Sequence, residues 1–366
     1  MPDYRFVDLS VDRSLATLVS DRHRIGIDTE FMREKTFFAQ LCLVQVSAGS
    51  EIICADPLNL DAVDKAITDA FWKEMMKPQW ILHSGRQDIE VIFQATRQMP
   101  REIFDTQVAA ALLGYQPQIG YANLVNELFD VELAKSHTRA DWSKRPLPEA
   151  VLRYAAEDVE YLLPACEVLT ERLDKLGRIE WALEDSADLL DVRLYEPDPA
   201  LAIERVKGTR NIHGRARAAA AALALWRECE AARSNRPRQW IMRDSMLIDI
   251  AMAQPETLSD LTDLDGLPES TIRRAGDELL SIIANATHDE SGYRPPPRPD
   301  EYQKATLKKM QQSVTACAEE LGVSTEIIAP KKELSAAISG QTASRVFKGW
   351  RHEVVGNDLL DLLQTA

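Results

Sequence analysis

Two carboxylates stand two residues apart in an otherwise apolar segment, Ile25-Gly26-Ile27-Asp28-Thr29-Glu30-Phe31. Ile25 and Ile27 favour a β-strand, and Gly26 allows another element to pack closely. Side chains alternate along a strand, so Asp28 and Glu30 project from one face. Two like charges side by side repel, and burying them without compensation costs several kcal/mol. A fold that accepts this strand must supply positive charge there, from a basic side chain or from a bound cation.

Further acids follow in order. Asp88 lies in "HSGRQDIEVI", just after the strand-like "WILHSG" (80–85), where a strand passes into a helix. By itself it reads as a first-turn carboxylate favoured by the helix dipole. In "YAAEDVEYLLP" (154–164), Tyr154 and Asp158 are four apart and share one helix face. Singly, Tyr154 reads as half-buried core and Asp158 as a solvent acid. As a set, an acid pair on one strand, an acid after a later strand and a Tyr-x-x-x-Asp helix can converge at one end of a sheet. Hard oxygen ligands suit Mg²⁺ or Mn²⁺ rather than zinc. Two such ions about 3.5–4 Å apart serve in-line phosphodiester cleavage. His83 reads as a structural histidine, and Asp105 in "IFDTQ" as a helix cap.

The organisation of the chain agrees. Strand-like runs at 23–31, 39–47, 51–57, 80–85 and 102–107 begin as hairpins, with Ala48-Gly49-Ser50 as a turn. Helical segments then intervene at 59–76, 86–98, 106–114, 121–130 and 147–174, which suggests a mixed sheet with βαβ crossovers. Strands vanish beyond about residue 200. "LYEPDPA" (194–200) and the proline-rich "SGYRPPPRPD" (291–300) mark breaks around two helical blocks. The expected domains are 1–190, 208–288 and 301–366.

These motifs carry a resemblance. "IGIDTEFMREKTFFAQLCLVQVS", "HSGRQDIEVI", "IFDTQVAAALLGY", "SHTRADWSKRPLP" and "YAAEDVEYLLP" together resemble the ribonuclease D family, four-acid 3′→5′ exonucleases with an α/β ribonuclease-H-like fold. The resemblance implies a mixed sheet flanked by helices, followed by one or two all-α domains of the helicase-and-ribonuclease-D C-terminal (HRDC) type. It implies two divalent metal ions, Mg²⁺ or Mn²⁺, on Asp28, Glu30, Asp88 and Asp158, with Tyr154 orienting the attacking water. A sister branch has histidine at the position of Arg153, so this chain matches the tyrosine branch. The implied activity is exonucleolytic trimming of RNA 3′ ends, precursor tRNA above all, with release of 5′-mononucleotides. A DNA 3′→5′ exonuclease would use the same acids, and a non-catalytic RNA-binding scaffold would be expected to have lost one of them.

Contacts to RNA are harder to assign. Phe31, Met32, Gln40 and Leu41 surround the first acid pair; the resemblance implies wedges against terminal bases, and by themselves they read as well as core. "KSHTRADWSKRPLP" sets Arg139 and Lys144 around Trp142, either a phosphate-binding, base-stacking loop or a surface loop anchored by a buried tryptophan. The net charge of −15 opposes polyanion binding, yet residues 201–244 carry ten Arg or Lys against four acids. Arg215, Arg217, Arg236 and Arg238 are the candidates there for the RNA backbone. No apolar run approaches ~18 residues, and the charged N-terminus has no signal core, so a cytoplasmic protein without a membrane or an obligate protein partner is expected. Five cysteines without paired spacing read as small core residues.

Overall fold

A computed structural model describes residues 3–133, 140–196, 198–264, 266–293, 300–341 and 344–364. The chain groups into two compact units. One holds Met1–Met32, Gln40–Asp191 and Pro296–Ala366, and the other Arg33–Ala39 and Val192–Pro295.

The first unit is built on a six-stranded sheet. Its strands are β1 (Tyr4–Asp8), β2 (Arg24–Met32), β3 (Gln40–Ala48), β4 (Glu51–Asp56), β5 (Gln79–Leu82) and β6 (Ile103–Asp105), in the spatial order β1-β4-β3-β2-β5-β6. β2, β3 and β4 form the antiparallel hairpins expected, while β1, β5 and β6 join in parallel. The sheet is therefore mixed. β1 escapes the sequence patterning because "YRFVD" is a short, charged edge strand, with Arg5 and Phe6 exposed.

Helices α1 (Ser14–Ser20), α2 (Lys65–Met75), α3 (Arg86–Thr96), α4 (Thr106–Leu112), α5 (Tyr121–Phe129), α6 (Glu149–Glu160), α7 (Leu162–Lys175) and α8 (Ile179–Ala187) accompany the strands. The long helix expected over 147–174 is broken between α6 and α7. Pro164 explains the break. It has no N–H to give to the Glu160 carbonyl, so it is tolerated only in the first turn of a new helix. The Tyr161 N–H at the junction goes instead to the Tyr121 hydroxyl, at 2.9 Å. α6 packs across β2, β3 and β4, and α7 on β2 and β5. This places the Tyr154 helix over the strand that bears Asp28 and Glu30.

The second unit is helical. α9 (Gly214–Arg233), α10 (Arg238–Ile241), α11 (Asp244–Ala253), α12 (Leu258–Thr262) and α13 (Glu269–Asn285) enclose a core that includes Leu223, Leu247, Leu261, Leu279 and Ile283. α9 is alanine-rich because α11 and α13 both press on it. A Thr257–Asp260 capping box starts α12.

The last helical block, α14 (Glu301–Leu321), α15 (Thr325–Ile328), α16 (Lys331–Ile338), α17 (Gly349–Arg351) and α18 (Asn357–Gln364), falls within the first unit. Met310, Val314, Leu334 and Trp350 share one core with Leu112, Leu169 and Ala182. Trp350 stacks on Trp181 with ring centroids 4.4 Å apart. Arg351, only 2% exposed, forms a two-pronged ion pair with Asp185. Among the described residues no helix is long and apolar enough to cross a membrane. Cys42, Cys54 and Cys166 are buried as expected, but Cys229 is exposed.

Candidate active site

β2, α3 and α6 bring the acids to one cavity of about 270 Å³. Asp28 and Glu30 project from one face of β2 towards α6, which carries Asp158 one turn after Tyr154. One carboxylate oxygen from each of Asp28, Glu30 and Asp158 lies within 4.8 Å of the others. Asp88, in the first turn of α3, also lines the cavity. Its Oδ1 accepts hydrogen bonds from the Thr29 hydroxyl at 2.6 Å and the Thr29 N–H at 3.1 Å. The residue between the paired acids thus ties α3 to β2. That role was not read from the sequence, although a hydroxyl residue between two acids was a visible signal.

The loop that launches α3 is itself anchored. Ser84 has a left-handed backbone (φ 59°). The Asp105 carboxylate accepts the N–H groups of Ser84 and Gly85 at 3.0 and 2.8 Å, and caps α4 through the Gln107 N–H at 2.8 Å. His83 bonds Thr106 Oγ1 through Nδ1 and the Ile119 carbonyl through Nε2, both at 2.9 Å. The Ile119 carbonyl can only accept, so Nε2 donates to it, and burial lowers the pKa of the ring. Both side chains serve the scaffold, as their sequence settings suggested.

No lysine or arginine lines the cavity among the described residues. The acids consequently hold their protons far above the ordinary carboxylate range. Burial, then repulsion from Asp158 and Asp88, pushes Glu30 up to about 8. Burial takes Asp158 to about 7 and Asp88 to about 6, in each case against a hydrogen bond, from Tyr154 or Thr29, that favours the ionised form. Asp28 is raised well above its ordinary value, by burial first and then by the other three acids. The Tyr154 phenol is raised too, by burial and then by Asp158, Glu30 and Asp28, so it stays protonated. A cluster that cannot ionise fully by itself, built from hard oxygen donors, fits a hard divalent cation. Tyr121, which also lines the cavity, carries no motif and was not anticipated.

The candidate RNA contacts are dispersed. Phe31 lines the cavity, and Met32 is half-buried against the core. The ladder pairs Phe31 with Leu41, which is buried, and Met32 with Gln40, which is exposed. Trp142 is buried, 3% exposed, and takes the role of loop anchor rather than of stacking platform. Beside it Arg145 is held by Asp56 and the Cys42 carbonyl. Lys144 is exposed near Asp141, and Arg139 lies outside the described residues. In the second unit Arg215 and Arg236 are exposed. Arg217 is buried, its guanidinium directed to Asp289 and to the Thr209 and Tyr293 carbonyls. Arg238 makes two 2.6 Å bonds to Glu228 and lies over the Phe37 ring. These two arginines hold the unit together, and a count of basic residues cannot separate them from surface ones.

The chain is similar to known proteins. The family model described as 3′–5′ exonuclease matches residues 11–174, and the HRDC domain model matches residues 216–283. Ribonuclease D of Gluconacetobacter diazotrophicus is 34% identical, over 92% of this chain and 87% of that protein. Ribonuclease D of Pseudomonas paraeruginosa is 35% identical, over 93% and 92%. The crystal structure of Escherichia coli RNase D, described as an exoribonuclease involved in structured RNA processing, superposes with a TM-score of 0.87 at 29% identity, covering 99% of both chains. The fold, the acid cavity and these relatives lead to one conclusion: the chain belongs to the ribonuclease D family and is a 3′→5′ exoribonuclease.

Proposed function

We propose that the cavity holds a pair of divalent cations on Asp28, Glu30, Asp88 and Asp158, and that the enzyme there trims precursor tRNA from its 3′ end, releasing 5′-mononucleotides. The observation that carries the reading is the convergence of three carboxylates within 4.8 Å in a cavity lined, among the described residues, by no lysine or arginine. Bound Mg²⁺ or Mn²⁺ would neutralise the acids, activate the attacking water and stabilise the leaving 3′ oxygen.

The chain's own residues do the positioning. Glu30 and Asp28 are fixed to the strand, and Asp88 is restrained by Thr29. Tyr154, protonated at neutral pH, can direct a water by hydrogen bonding but cannot act there as a base. Phe31 offers an apolar surface to a terminal base beside the acids. The exposed Arg215 and Arg236 supply positive charge for the RNA backbone against the chain's overall −15. We place the catalytic work in residues 1–190 and this RNA grip in the helical block 208–288.

The test uses 5′-labelled precursor tRNA with a 3′ trailer, and a DNA strand of the same sequence, in Mg²⁺ or Mn²⁺. The native chain should shorten the RNA one nucleotide at a time, and Asp28→Ala should not. Equal shortening by Asp28→Ala would overturn the site, and equal or faster attack on DNA would overturn the substrate assignment.

A further inference from the structure

Two polar side chains of β3 are stranded inside the first unit. Gln45 is wholly buried and Ser47 is 2% exposed. Among the described residues neither the Gln45 amide atoms, Nε2 and Oε1, nor Ser47 Oγ meets a hydrogen-bonding partner. Each such group costs about 1–3 kcal/mol that an apolar residue would avoid.

Their place on the sheet gives the cost a meaning. The β2–β3 register sets Gln45 directly opposite Asp28, and Ser47 opposite Gly26. Directly opposed residues of an antiparallel pair project to the same face, with Cβ atoms about 4.5–5.5 Å apart. Gln45 therefore stands beside Asp28. On its other side the register pairs it with Cys54, whose thiol reaches the Leu152 carbonyl of α6 at 3.7 Å. The stranded amide is thus roofed by the helix that carries Tyr154 and Asp158. Gly26 preserves the adjoining space. A Cβ there would lie 2.3 Å from Ser47 Oγ and 3.0 Å from Leu162 Cβ.

We propose that Gln45 is a positioning residue for Asp28. Its amide N–H, through a water shared with Ser47, sets which oxygen of the Asp28 carboxylate faces a bound cation. The inference rests on the metal-binding reading above. A carboxamide suits the task because it donates without carrying charge. An Arg or Lys in the same place would neutralise the acids and compete with the cation. Partners that orient a metal ligand from behind are typically worth 10–100-fold in metal affinity.

The experiment measures Mn²⁺ binding by titration calorimetry on the full chain without RNA, beside thermal unfolding in EDTA. Gln45→Met keeps the length of the side chain and removes the amide. It should unfold at the same or a higher temperature, since two unpaired amide atoms are removed, while its Mn²⁺ affinity falls about 10–100-fold. Exonuclease activity should return as Mn²⁺ is raised. Ser47→Ala, which removes one hydroxyl, should weaken Mn²⁺ binding in the same direction, and it decides the matter if Gln45→Met does not fold. Native Mn²⁺ affinity in these variants, with binding lost in Asp28→Asn, would overturn the role of Gln45 and leave the metal site standing. Native Mn²⁺ affinity in Asp28→Asn would overturn the metal reading itself.

Discussion

Removing divalent cations should leave a protein that grows less stable as the pH rises through neutrality. Glu30 shows the sign and the size. Its carboxyl is shifted from 4.5 to about 8 by burial and by the neighbouring acids. A group whose folded pKa is raised contributes stability that is complete below its unfolded value and is lost as the pH climbs through the folded one. At about 1.4 kcal/mol for each tenfold change in proton affinity, Glu30 alone corresponds to roughly 5 kcal/mol lost between about pH 4.5 and 8. Asp158 and Asp88, at about 7 and about 6, shift in the same direction. Because these groups repel one another, their losses are shared and do not add to the Glu30 figure one by one. That figure is comparable to the entire stability of an ordinary domain, about 5–15 kcal/mol. The assay is urea unfolding in EDTA from about pH 5 to about pH 8.5, repeated with saturating Mn²⁺. The free energy should fall with pH in EDTA, and Mn²⁺ should restore most at the alkaline end, since cation and proton compete for the same oxygens. Glu30→Gln should be inactive, yet more stable than the native chain in EDTA at about pH 8. Metal-free stability that is flat or rising over this range would refute the argument, as would a Glu30→Gln variant that loses as much stability at pH 8 as at pH 5.

Two further outcomes follow from the same geometry. Tyr154→Phe removes the hydroxyl that bonds Asp158 while keeping the ring, so single-turnover cleavage of labelled RNA should slow by about 10²-fold with little change in RNA affinity. Gly26→Ala drives a Cβ to 2.3 Å from Ser47 Oγ; it should cost about 1–3 kcal/mol in urea unfolding, and adding Ser47→Ala should recover part of that loss.

The parts of this protein that could be read from its sequence share a physical property: their meaning is local. The period of β2 puts Asp28 and Glu30 on one face whatever surrounds them, and the Tyr154–Asp158 spacing does the same on α6. Asp105 declares itself as a cap by preceding a helix. What escaped depends on partners distant in the chain. Arg217 and Arg215 are two residues apart in one basic stretch, yet Asp289 and Tyr293, more than seventy residues on, turn the first into a core cation and leave the second at the surface. Trp142 belongs to a loop whose composition suits RNA stacking, and only its burial decides otherwise. The second-unit breaks were legible in prolines, but the grouping of α14–α18 with the nuclease sheet was not, because Asp185–Arg351 and Trp181–Trp350 join residues about 170 apart. Gln45 lies on both sides of this division. Its alternation within "LCLVQVS" shows that it shares a face with Leu43, but only the strand register sets it beside Asp28. A polar residue in an apolar strand is therefore a question the sequence can pose, and the neighbouring strand has to answer it.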